Sequence, residues 1–83
     1  MLERILQGDL PSSVFKTLIE NDSSITNFKI GEMLGNQFIE LSSEAIQLVW
    51  HWKGPNKTQG LSDENLDALL LQFFKEAGYL HKK

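Results

Sequence analysis

The side chains best equipped for chemistry gather between Leu48 and Gly60, a stretch that holds both tryptophans, one of the two histidines and the loop Gly54-Pro55-Asn56-Lys57-Thr58-Gln59-Gly60. Three chemistries deserve weighing there: acid–base work by His51, phosphate binding by the loop, and recognition by the tryptophans. Catalysis needs groups that converge. His51 shares a helical stripe with Glu44 and Gln47, which reads as a solvated polar face, and His81 lies at the chain end. The chain carries no HExxH, GxSxG or Walker-type GxxxxGK[ST]. The Gly54–Gly60 loop has glycines and a Lys-Thr pair, but its spacing is wrong for a phosphate cradle and no strand precedes it. Recognition remains. Tryptophan combines a large apolar body with a polar tip and is enriched where proteins meet partners.

Composition narrows the field. The chain has 83 residues, 41% hydrophobic and 23% charged, which suits one small globular domain and not a disordered segment. It has no cysteine, so disulfides, thiolate-bound zinc and thiol nucleophiles are all excluded. Eleven acids against eight bases give a formal net charge of −3, which opposes a broad electrostatic footprint on nucleic acid or an anionic membrane. No apolar run approaches the ~20 residues that span a bilayer, nor does the N-terminus resemble a signal peptide. The expected location is cytoplasmic.

The elements that must position these residues read as helices. Leu2, Ile5 and Leu6 predict a short helix stopped by Gly8. Pro11 opens a second with Val14, Phe15, Leu18 and Ile19 as its stripe, ended by Asn21-Asp22-Ser23-Ser24. A third runs from Asn27, capped by Thr26 or Asn27, to Leu34; it buries Ile30, Met33 and Leu34, with Gly31 allowing close packing and Gly35-Asn36 as its exit. Gln37 to Leu41 has no strand partner and reads as a connector, or as a helical continuation, that tucks Phe38 and Ile39 or Leu41 inward.

Ser42-Ser43-Glu44 opens the fourth helix, expected to reach Lys53. At about 100° per residue its apolar side chains cover roughly 200° of the wheel, with Trp52 mid-arc and Trp50 at the edge. Trp52 is therefore the core candidate and Trp50 the surface candidate. The last helix, Asp63 to Ala77 with Ser62 at its cap, presents Leu66, Leu69, Leu70, Phe73, Phe74 and Ala77 on one face, and leaves Asp67 and Leu71 pointing elsewhere. Gly78 suits a left-handed cap with Tyr79 or Leu80 folding back.

Phe28-Lys29-Ile30-Gly31-Glu32-Met33-Leu34-Gly35, followed by Leu41-Ser42-Ser43-Glu44-Ala45-Ile46, resembles the two helices of helix-turn-helix domains. The resemblance implies a DNA-associated protein whose reading helix begins near Ser42. Two departures stand against it: the Asn36 to Glu40 connector exceeds the usual turn, and the reading helix would expose Glu44, Gln47 and His51 with no arginine, the residue that makes the commonest guanine contact.

The expected fold is all-α: a single compact domain over residues 1–83 with four to five short helices, helix-turn-helix-like in its middle portion, the Ser42–Lys53 helix central and the Asp63–Ala77 helix laid across it. Residues 81–83 form a frayed basic tail. The expected function is that of a small non-enzymatic protein–protein interaction module, taking a protein partner or a second copy of itself and using no cofactor, metal or catalytic residue. Neither nucleic acid nor a membrane is its expected partner. The candidate partner-binding residues are Trp50, Lys53, Pro55, Asn56, Lys57, Gln59 and Leu71; the alternative is a DNA-associated helix-turn-helix-like protein.

Overall fold

The computed structural model describes residues 1–55 and 58–80. A 3₁₀ helix, Leu2–Gln7, is followed by α1 (Pro11–Asn21), α2 (Asn27–Gln37), α3 (Ser43–His51) and α4 (Asp63–Glu76). Among the described residues there is no strand, only an isolated bridge between Trp52 and Leu61. The helices pack in a relay: the 3₁₀ helix on α1, α1 on α4, α4 on α3, and α3 on α2. The result is one small all-α domain.

Local chemistry explains most boundaries. Thr26, Ser42 and Ser62 each cap a helix by accepting a backbone N–H two or three residues inside it. Gly8, at φ +110, ends the 3₁₀ helix. At the end of α4, Gly78 takes φ +89, the Gly78 N–H donates to Lys75 O, and the Tyr79 N–H donates to Phe74 O at 3.0 Å. That pattern is a Schellman motif, completed by the Tyr79 ring against Phe74.

Helix α1 lacks a side-chain cap of its own, because Leu10 occupies that position. Asp67 of α4 supplies it. The Ser12 N–H donates to Asp67 Oδ1 and the Ser12 hydroxyl to Asp67 Oδ2, both at 2.7 Å and both buried. The carboxylate thus sits at the positive end of the α1 dipole with its oxygens paired, which is what allows a charge to be buried there.

Three expectations need correction. First, α2 does not exit at Gly35 but continues to Gln37, since Gly35 stays helical beneath Ile46. It stops where Phe38 drops its ring onto Phe74 and Tyr79, with centroids at 4.9 and 5.1 Å. Of its neighbours, Ile39 stays exposed and Leu41 is half-buried. Second, α3 ends at His51, short of Lys53. Trp52 turns extended at ψ 135 and its carbonyl accepts a hydrogen bond from Asn27 Nδ2 at 2.7 Å, so side-chain and loop partners replace the next helical turn. Third, α3 packs mainly on α2 and α4 and leaves Glu44, Gln47, Trp50 and His51 exposed; α4, packed on both α1 and α3, shares the central position.

The core joins Phe15 and Trp52, edge to face at 5.6 Å, to Leu66, Leu70 and Phe74 of α4 and Ile30 and Leu34 of α2. Trp52 is fully buried, as its mid-arc position predicts. No helix among the described residues is long and apolar enough to cross a membrane.

Candidate interaction surface

Glycines set the geometry of the surface. Ile46 and Trp50, one helical turn apart on α3, lie over Gly35 and Gly31, one turn apart on α2. A Cβ on Gly31 would come within 2.7 Å of Trp50 Nε1. The missing side chain lets the indole approach α2 closely, and its ring meets Phe28 at 5.2 Å between centroids and a 37° tilt. Trp50 remains 38% exposed and Phe28 67% exposed. Two large aromatic rings thus form a joined, solvent-facing pair.

Beside the pair, the two ends of the segment from Lys53 to Gly60 are clasped together. The Leu61 N–H donates to His51 O and the Lys53 N–H donates to Leu61 O, each at 2.8 Å. Gly60, at φ +132, passes so close to this clasp that a Cβ would meet His51 O at 2.6 Å. The scaffold thus fixes the two ends of this loop against each other. A second tie comes from below: the Trp52 indole N–H donates to Asp63 Oδ1 at 2.9 Å, while Lys16 pairs with Asp63 Oδ2. The Lys16 ammonium first, and the Trp52 N–H second, hold the Asp63 carboxyl below the usual carboxylate range.

Two clefts flank the base of this loop. One, of about 280 Å³, is lined by Ile19, Ile25 and Phe28 on one wall and Lys53, Gly54 and Pro55 on the other. The second, of about 650 Å³ and wide open, lies between Lys16, Lys53, Pro55 and the start of α4. Lys53 and Pro55 stand on the ridge between them.

The structure therefore brings Trp50, Lys53 and Pro55 to one side of the molecule, with Gln59 exposed on the same clasped loop. Asn56 and Lys57 lie outside the described residues. Leu71 is a correction: expected to point outward, it is half-buried against the core, and Leu69, 44% exposed, is the outward leucine of α4. The cause is Asp67. Its buried pairing with Ser12 rotates the packed face of α4 toward Asp67, drawing Leu71 in and turning Leu69 out.

Phe28 is the residue that sequence reasoning passed over as a site. Its signal was present, for Phe28 lies off the Ile30–Leu34 stripe of its own helix, where an aromatic ring has no core to enter. His51 and Glu44 are both exposed and form no ion pair with each other among the described residues. No protein-family model matches this chain, and neither the curated proteins nor the solved structures offer a significant match.

Proposed function

We propose that this domain is a non-enzymatic protein-interaction module whose contact surface is the Phe28–Trp50 pair with the clasped Lys53–Gly60 loop beside it. The observation that carries the reading is the pair itself. Isolated exposed apolar residues are ordinary, but two adjoining aromatic rings on the surface of so small a domain form a contiguous apolar patch. Lys53, across a shared cleft from Phe28, gives the patch a polar edge, in keeping with the apolar centre and polar rim of interfaces. A rigid aromatic anchor also loses little conformational entropy on binding.

The helix-turn-helix alternative draws less support. The exposed side chains of α3 include Glu44, Gln47, Trp50 and His51, and none is a lysine or arginine able to engage phosphate. The proposal retains the cytoplasmic location expected from the sequence.

The test is affinity capture from the native host with the wild-type domain beside Phe28→Ala and Trp50→Ala. The reading expects a protein retained by the wild type and lost from both variants while each keeps its helical circular dichroism. Identical capture by all three would overturn it.

A further inference from the structure

The cleft beside the aromatic pair carries a charge that the rest of the molecule does not predict. In a chain with eleven acids and eight bases, Lys53 is the sole charged residue lining the cleft among the described residues. The remaining walls are apolar, from Ile19, Ile25, Phe28 and Pro55, with small polar groups between them. The acids nearest the lining residues along the chain are Glu20, exposed beside Ile19, and Asp22, whose carboxylate is engaged by the N–H and hydroxyl of Ser24 at 3.1 and 2.6 Å. Lys29, next to Phe28, is paired with Glu32 at 2.9 Å. Lys53 makes no direct ion pair among the described residues; across the ridge it attracts the Asp63 carboxylate at longer range, while Lys16 and Trp52 hold that carboxylate directly.

The cleft thus offers an apolar floor with one ammonium at its rim that forms no direct ion pair among the described residues. At about 280 Å³ it falls below the ~300–1,000 Å³ that encloses a drug-sized ligand, but it has room for a side chain projecting from a peptide. We infer that the partner presents a peptide segment with an apolar side chain flanked by a carboxylate, the apolar group entering between Ile25, Phe28 and Pro55 and the carboxylate meeting Lys53. This inference rests on the interaction-module reading and gives that reading a ligand chemistry. The charge at the rim selects the sign of the partner, while the apolar floor supplies the contact area.

A phage-displayed library of random peptides, panned on the whole domain, tests it directly. Enriched peptides should place an aspartate or glutamate within two residues of a leucine, isoleucine or aromatic residue. Lys53→Glu should weaken the enriched peptides by about ten-fold or more, because like charges brought together across an interface repel as well as fail to attract. Panning on the Lys53→Glu domain should instead enrich lysine and arginine beside the same apolar residues. Both variants needed here sit at exposed positions, and unchanged thermal midpoints for Lys53→Glu and Phe28→Ala confirm that folding is not what is read. Peptides lost with Phe28→Ala but indifferent to Lys53→Glu overturn the acidic assignment and leave the interaction surface standing. Peptides indifferent to both variants, or a library without binders, overturn the inference outright.

Discussion

The indole of Trp50 lies over Gly31 at a separation that no side chain could share, with Nε1 2.7 Å from where a Cβ would stand. A glycine on α2 therefore decides the pose of an aromatic ring on α3, and through that ring its contact with Phe28.

Gly31→Ala should expel the indole. Overpacking typically costs ~1–3 kcal/mol, whereas alanine gains ~1 kcal/mol over glycine inside a helix. Because Trp50 is partly exposed, the ring can swing outward and the two effects nearly offset. The expected result is a red-shifted tryptophan emission with net stability changed by less than about 2 kcal/mol. Unaltered emission would contradict the close approach.

The two tryptophans should separate cleanly under substitution. Trp52 is fully buried, touches Phe15 edge-on and donates to Asp63, so Trp52→Ala should cost about 3–5 kcal/mol in urea unfolding. Trp50→Ala loses a partly exposed ring and one aromatic pair, an expected cost of about 1 kcal/mol. Comparable losses from the two would dismantle the assignment of one to the core and the other to the surface.

Asp67 should prove a structural carboxylate in spite of its place on a helix expected to expose it. Asp67→Ala strands the buried N–H and hydroxyl of Ser12, a loss of about 2–4 kcal/mol from two unpaired donors, the first of which is the capped N–H of α1. A double-mutant cycle with Ser12→Ala should show coupling of about 1 kcal/mol, consistent with residues that share hydrogen bonds. Simple additivity in chemical denaturation would count against the pairing.

How far these features can be read from the sequence depends on how local they are. The caps at Thr26, Ser42 and Ser62 and the Schellman turn at Gly78 arise within a few residues of one another, and the residue types announce them. The contrast between Trp50 and Trp52 was also legible, because one helical wheel orders them. Ser12 and Asp67 were not: each is unremarkable alone, and only the packing of α1 on α4 joins them. Leu71 and Leu69 were exchanged for the same reason, since they flank the same stripe and a tertiary contact decides which edge is covered. The early end of α3 likewise depends on Asn27 and Leu61, both distant in the chain.

Asp63 should lend the domain an acid-sensitive tie. Its carboxyl is held below the usual range by Lys16 and Trp52, so the charged form is favoured in the folded state. That stabilisation is fully present above the unfolded value of about 3.9 and is lost as pH falls through the lower folded value. An NMR titration of Lys16→Gln should find the Asp63 pKa raised toward the unfolded value and a shallower loss of stability below about pH 4. A titration identical to wild type would remove Lys16 as the principal cause.

The central claim is that the Phe28–Trp50 pair is a surface for a protein partner. Quantitative mass spectrometry of proteins captured from the native host, comparing wild type with Phe28→Ala, tests it most directly. Phe28 is 67% exposed, so its loss leaves the core intact. The account predicts at least one protein depleted about ten-fold or more from the variant, the effect of losing about 1.4 kcal/mol at a single anchor. A capture profile unchanged by the substitution, with the variant folded, would contradict it.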